Sequence, residues 1–472
     1  MRLLSHAVLL SVLAVIAGSF SACGNKQRSN NDMPGKAESN DSARHVLPDT
    51  LHVATLYSPT SYFLYRETPM GYHYALVKQF CEDKGIVLDL SIAPGMPRLI
   101  ELLDSGKIDI AACEIPVTGA TKRHIVACGP ESITYQVLVQ PKASDKQTPV
   151  TDVTQLVGRE VYVEADSKYH HRLENLNKEL GGGIIIKPVA RDTLITEDLI
   201  TMVSQGKIPL TIVDSDIARI NRTYYPELDI SLEISFPQRS AWGVNTSEKW
   251  LADSIDSWLH QEKPAQIQSD LLKQYFEDSK VKDTGLHISF SNGRMSPFDS
   301  YFRRYAREIG WDWRLLAAMG YTESQFDSTV VSWAGARGIM QIMPSTARAY
   351  GLDLNRIDYV EPSIATSAKI ISSLDKTFRP LVSDNEERKK FIVAAYNSGP
   401  AHILDAIAIA RKQQMNPQQW IGSVENALML KSKPEFYNDP VCRYGYFNGN
   451  QTYEYVRRVY SIYDTARKKI KI

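Results

Sequence analysis

The sequence predicts a multidomain chain: a two-lobed α/β body followed by a mostly α body, behind an amino-terminal export segment. Three observations carry this prediction. At about 100–200 residues per domain, 472 residues exceed what a single core organises. From Leu51 to Val213, short apolar runs alternate with segments of 3.6-residue periodicity, the rhythm of repeated βαβ units. From about Ser296 onward the periodicity is helical and no β-branched alternation returns. Composition is that of a water-soluble globular chain, with 43% apolar and 23% charged residues. Fifty-four Lys and Arg against 54 Asp and Glu leave no positive surplus for a phosphate backbone, so nucleic acid is not an expected partner. Twenty-four Tyr and 7 Trp suit a glycan, which is gripped by ring faces and hydrogen bonds.

The elements follow in order. Met1-Arg2 leads into an apolar run from Ala7 to Phe20, then Ser21-Ala22 and Cys23. The run is short for ~30 Å of hydrocarbon and ends in small residues, so residues 1–22 read as a signal peptide. A Cys directly after them resembles a bacterial lipobox, with Phe20 where Leu is usual. The resemblance implies cleavage before Cys23, a lipid on its thiol, and a periplasm-facing protein anchored to a membrane of the cell envelope, the outer one by expectation. A plain signal peptide that happens to contain Cys is the alternative. Residues 23–49 are polar and lack aromatic side chains, which predicts a flexible tether. Cys81, Cys113, Cys128 and Cys442 show no metal-ligand spacing, so no metal site is expected, and none of the motifs implies a cofactor. A Cys113–Cys128 disulfide and buried free thiols both stay open.

In the first unit, residues 50–270, strands are expected at Leu51-His-Val-Ala-Thr-Leu, Ile86-Val-Leu-Asp-Leu and Ile108-Asp-Ile-Ala-Ala, with helices at Gly71 to Cys81 and Pro97 to Ser105. The rhythm resumes at Glu160-Val-Tyr-Val and runs to Leu210-Thr-Ile-Val, implying a second lobe and a parallel sheet. Ser240-Ala-Trp-Gly-Val reads as a strand returning to the first lobe, which gives two crossovers and a hinge. Gly71-Tyr72, Leu103-Asp-Ser-Gly-Lys-Ile-Asp-Ile-Ala-Ala, Thr121-Lys-Arg123 and Val213-Asp214-Ser215 resemble the family 3 periplasmic solute-binding proteins. That resemblance implies an amino acid or muropeptide ligand between the lobes. It makes Tyr72 a cleft residue, Arg123 a fork for an α-carboxylate and Asp214 the partner of an α-amino group. A surface role for Arg123 and helix capping for Asp214 are the alternatives. His73 stands where an acidic residue is frequent.

Residues 271–293 read as a polar connection and 294–472 as the second unit. Asp299 to Ile309 is one amphipathic helix, and Asp312 can cap another that begins at Trp313. At 100° per residue, Glu323 falls about 20° from Leu316 and on the side of Met319, so a carboxylate projects from an apolar face. Ser332-Trp-Ala-Gly-Ala-Arg-Gly-Ile-Met-Gln341-Ile-Met343-Pro follows, a glycine-bearing loop and a helix restarted by Pro344. Ala394-Ala-Tyr396-Asn397-Ser-Gly399 comes later.

In this order the three motifs resemble the lysozyme-like domain of lytic transglycosylases, and the two units together resemble the membrane-bound lytic murein transglycosylase F family. The resemblance implies a lyase acting on peptidoglycan glycan strands at the MurNAc–GlcNAc β-1,4 bond, leaving 1,6-anhydro ends. Glu323 becomes the acid and then the base. Ser332, Gln341, Met343, Tyr396, Asn397 and Tyr455 become cleft residues. Asp327, one turn beyond Glu323, reads as a structural cap. If it acted as a second carboxylate, the chain would be a goose-type hydrolytic muramidase. A solute receptor with an inactive second unit is the reading from another class.

Overall fold

The computed structural model describes residues 46–143, 148–190, 196–278, 290 and 293–471. The expected signal peptide, Cys23 and nearly all of the tether lie outside the described residues. Residues from Leu47 onward form one compact unit.

The first lobe contains β1 (Thr50–Leu56), the hairpin β2 (Phe63–Tyr65) and β3 (Thr68–Met70), α1 (Tyr72–Lys84), β4 (Val87–Ala93), α2 (Met96–Asp104), β5 (Ile110–Pro116) and β6 (Ile125–Thr134). The second contains β7 (Gln136–Pro141), β8 (Glu160–Glu164), α3 (Lys168–Glu179), β9 (Ile185–Val189), α4 (Thr196–Ser204), β10 (Thr211–Asp214), α5 (Ser215–Tyr224) and β11 (Leu228–Asp229). The chain then returns through β12 (Gln238–Asn245), α6 (Lys249–Leu259) and α7 (Glu262–Phe276).

Strand order is β4-β1-β5-β12-β6 in the first sheet and β11-β7-β10-β8-β9 in the second. The expected two crossovers and returning strand are present, but neither sheet is purely parallel. β12 lies antiparallel to both β5 and β6, and β7 antiparallel to β10. The βαβ rhythm reports only strands joined by helices; the strands that carry the chain between lobes arrive without a helix and take the opposite direction. α7 carries on to Phe276, six residues into the segment read as a connection, because Tyr275 and Phe276 bury themselves beside α1. Cys113 and Cys128 are buried free thiols.

The helical unit comprises α8 (Asp299–Glu308), α9 (Trp313–Ser324), α10 (Pro344–Ala349), α11 (Val360–Phe378), α12 (Asn385–Ser398), α13 (Pro400–Lys412), α14 (Glu425–Leu430), α15 (Pro434–Tyr437) and α16 (Asn450–Lys469). The Asp312 side chain caps α9 by accepting from Arg314 N, as its position predicts. The one-sided apolar face expected of α9 is not what forms. Every residue from Trp313 to Tyr321 is buried, so α9 is a central helix enclosed on all sides. Arg314 is tolerated there because it pairs with Asp312 and donates to Ile470 O, which ties the segment after α16 to α9.

A second buried pair shapes the far side of this unit. Lys431 and Asp405 are bonded with side chains 0% and 3% exposed, and Asp405 also accepts from Arg443 N and Tyr444 N. Asp405→Ala would leave the Lys431 ammonium buried without its partner. We expect a loss of about 3–5 kcal/mol of stability, read as a lowered denaturant midpoint.

Candidate active site

Glu323 sits on the last turn of α9 with its side chain 4% exposed. Gln325 and Phe326 follow with positive φ (56° and 67°) and end the helix immediately behind it. Ser324 donates to Ile339 O at 2.8 Å, pinning the helix end to the loop that carries Gln341. Tyr455 on α16 donates to Glu323 Oε1 at 2.8 Å. Burial first, and then the Glu323 carboxylate, raise the Tyr455 hydroxyl well above its ordinary pKa, so it remains a donor.

The other polar partner comes from the first lobe, 257 residues away in sequence. Arg66 Nη2 donates to Glu323 Oε2 at 2.9 Å and Oε1 at 3.2 Å, while its Nη1 donates to Gln341 O at 2.5 Å. Burial alone would lower the Arg66 pKa, but the Glu323 carboxylate outweighs it and the pKa rises. With Arg66 and Tyr455 both donating, each Glu323 oxygen already accepts at least one hydrogen bond, and Arg66 stands against the carboxylate.

Arg66 reaches this point on the two-residue turn of the β2–β3 hairpin. Arg66 and Glu67 both have positive φ (48° and 62°), the pattern of a type I′ turn that ordinarily selects Asn-Gly. Two such non-glycine residues cost about 1–3 kcal/mol each, a strain that docking must sustain. Thr68 Oγ1 bonds Ser345 Oγ at 3.0 Å, and His402 Nε2 donates to Leu64 O at 3.2 Å. Burial, then Lys431, push the His402 pKa well below its usual value, which keeps it neutral. Gly399 and Gly445 admit the first lobe closely. A Cβ on Gly399 would stand 2.9 Å from Glu67 Cγ, and one on Gly445 would stand 2.0 Å from the Tyr57 ring.

The residues singled out in sequence separate into two groups. Gln341, Met343 and Tyr396 line a cavity of about 220 Å³ whose wall is completed by Arg66 and Glu67. Tyr396 OH donates to Met340 O at 2.9 Å. Gln341 is 3% exposed and its amide donates to Val330 O and Gly338 O, so its side chain braces the loop. Asn397 lines a second cavity, of about 70 Å³, with Tyr65, Trp333 and Tyr446. Its Oδ1 accepts from Thr452 Oγ1 at 2.8 Å. Ser332 turns inward, accepting from Ala336 N. Asp327 accepts from Thr329 N and Oγ1, the bonding of a turn cap.

The solute-binding residues are not gathered as expected. Arg123 is exposed on a short turn, Thr121–Arg123, while Asp214 is bonded to Lys168 and to Tyr169 OH. Asp214 stands at the N-cap position of α5 without a side-chain capping bond, since those two residues hold it. Tyr72 is buried, its hydroxyl accepting from Gln268 Nε2. Sequence reasoning gave no role to Arg66 or to Thr452. Thr452 carried a signal, being three residues before Tyr455 on one helix face, whereas nothing local marks Arg66.

Tyr455→Phe would remove one charge-assisted hydrogen bond worth about 1.5–3 kcal/mol. We expect turnover to fall roughly tenfold or more with KM little changed, measured on purified sacculi.

Two α/β lobes linked by crossing strands, followed by a helical body that buries Glu323, define a binding module fused to a glycan-cleaving one. Residues 50–278 match the model of bacterial extracellular solute-binding proteins, family 3, and residues 300–419 match the transglycosylase SLT domain. A membrane-bound lytic murein transglycosylase F from Shewanella halifaxensis is 32% identical, covering 89% of this chain and 86% of its own. One from Desulfosudis oleivorans is 30% identical, covering 88% and 90%. The chain belongs to the membrane-bound lytic murein transglycosylase F family. Among solved structures, the L-cystine solute receptor of Neisseria gonorrhoeae in the unliganded open conformation covers 50% of this chain and 96% of its own, at 16% identity and TM-score 0.41.

Proposed function

We propose that this chain is a peptidoglycan lytic transglycosylase, a lyase that cleaves the MurNAc–GlcNAc β-1,4 bond without consuming water. The observation that carries the reading is the burial of Glu323 against the loop that carries Gln341, with Tyr455 donating to its carboxylate. Glu323 is enclosed on the central helix, and the next candidate, Asp327, is committed to its own turn. A hydrolytic pair would need a second carboxylate about 5–9.5 Å away. In the transglycosylase route, Glu323 protonates the leaving O4 as the C1–O4 bond breaks, and then accepts the proton of the muramic acid's O6 as the O6–C1 bond forms. Atoms balance and the product is a 1,6-anhydro end. Mass spectrometry of digested sacculi tests this: products one water lighter than reducing ends are expected, and reducing ends alone would establish a muramidase instead.

The solute-binding module regulates this site in the same proposal, because its hairpin occupies it. Docked, Arg66 holds Glu323 and fills the cleft. A ligand that favours a lobe arrangement with the hairpin withdrawn would switch the enzyme on. An amino acid or muropeptide between the lobes is the ligand expected. Envelope localisation rests on Met1 to Cys23, and Cys23→Ser should release the protein from the membrane fraction if the lipid is its anchor. Among the described residues no helix is long and apolar enough to cross a membrane.

A further inference from the structure

Where the first lobe meets the helical unit, His402 of α13 is 1% exposed and stacks on the Phe447 ring, with centroids 4.2 Å apart and planes 22° from parallel. Its Nε2 donates to Leu64 O at 3.2 Å, in the middle of β2 and two residues before Arg66. A carbonyl can only accept, so the ring proton sits on Nε2 and Nδ1 carries the lone pair. Among the described residues, Nδ1 is buried without a hydrogen-bond partner. A second proton on the docked ring would therefore have no acceptor. Nor is a counter-charge ready to receive it. Asp405 lies three residues along the same helix, but Lys431 Nζ, Arg443 N and Tyr444 N already occupy its two oxygens. Lys431 is itself buried and acts on His402 as a like charge.

We propose that His402 is a proton-operated release for the β2–β3 hairpin. Docked, the ring is held neutral beneath Leu64; with the hairpin withdrawn it takes up a proton, so acid favours the withdrawn state and raises basal turnover. The proposal rests on reading the docked hairpin as a restraint on Glu323, and it adds an input that needs no solute between the lobes. Leu64 and Arg66 are two residues apart, at most about 7 Å of extended chain, so the contact at His402 and the contact at Glu323 are made and lost together. Withdrawal opens the Nε2 edge of the ring to water, which accepts from an imidazolium and removes part of the burial that opposes its charge.

Burial first, then Lys431, hold the docked His402 well below its usual pKa, against a smaller opposing effect of the Leu64 carbonyl. In the withdrawn state the pKa returns toward the ordinary histidine value of about 6.5. Docking is therefore at full strength above that value and weakens as pH falls beneath it, by up to about tenfold per pH unit for one proton. The charged and titratable groups around the ring are Arg66 and Glu67 on the hairpin turn, Asp405 on α13, and Lys431 and Lys433 after α14. Cys442 and Tyr446 precede α16, and Tyr57 follows β1 with its ring against Gly445. Burial raises the Glu67 pKa, so its protonation favours docking and works against His402. Protonation of Glu323 would weaken the Arg66 pair and work with it. A variant that changes His402 alone separates these contributions.

Hydrogen exchange of the 60–70 segment, followed by mass spectrometry on the full chain at pH 7.5 and pH 5.5 and scaled to the intrinsic rate at each pH, tests this. In wild type the hairpin is expected to lose protection about fivefold or more at the lower pH. His402→Gln keeps an N–H for Leu64 O but does not titrate, so it should lose most of that change. Wild-type turnover on sacculi, divided by that of His402→Gln at the same pH, should rise by a similar factor. Arg66→Ala, with its hairpin already released, should be exposed at both pH values, which keeps the comparison decisive if His402→Gln fails to fold. Equal protection of the wild-type hairpin at both pH values, or a pH response in His402→Gln equal to that of wild type, overturns the proposal. With Arg66→Ala exposed, either result leaves the Arg66 restraint standing. A hairpin as protected in Arg66→Ala as in wild type removes the restraint and the proton release with it.

Discussion

Glu323→Gln is expected to reduce release of anhydro products from sacculi by roughly 100- to 10,000-fold, the range over which a positioned acid–base group contributes. Gln keeps the volume and one acceptor oxygen but cannot give or take the proton that both half-steps need. Glu323 is assigned both, so its loss should fall near the upper end. The variant should remain folded, because α9 is held by its own apolar contacts and by Ser324 to Ile339 O rather than by the carboxylate. Chromatography of soluble products at saturating sacculi measures the effect. Activity within threefold of wild type would remove Glu323 from the reaction.

Arg66→Ala carries the opposite sign: basal turnover should rise. A buried ion pair that loses one partner typically costs about 3–5 kcal/mol, here charged to the docked state, which corresponds to more than roughly 100-fold in the docked-to-undocked ratio. The gain in turnover is capped by the rate of the open enzyme. Arg66→Lys should fall between, because an ammonium cannot fork across both carboxylate oxygens and still reach Gln341 O. Turnover of Arg66→Ala equal to or below wild type, with the protein folded, would mean that the contact restrains nothing. Combining it with Glu323→Gln should abolish the gain, which ties the released activity to the same carboxylate.

Much of this was legible from sequence, for identifiable reasons. The two units, their classes and most elements were written in apolar periodicity, which is local. Glu323 was legible because its motif neighbours follow at fixed spacing in one chain segment. Tyr455 and Tyr396 followed from the same resemblance. The sheet directions were not legible, because a strand reached by crossing between lobes has the same residue pattern whichever way it runs. Nor was the all-round burial of α9, since the residues enclosing it come from helices on both sides of it in sequence.

By itself, then, the sequence determined the classes of the two units, the carboxylate at the end of α9 and the cleft segments around it. These depend on local propensity and on residues a few turns apart. Tertiary structure alone decided what faces that carboxylate. Arg66 lies 257 residues from Glu323 on a hairpin with no distinguishing composition, and His402 meets Leu64 only because the first lobe packs on the helical unit. Charge pairing acts through space over a few ångströms, and no spacing along the chain encodes it.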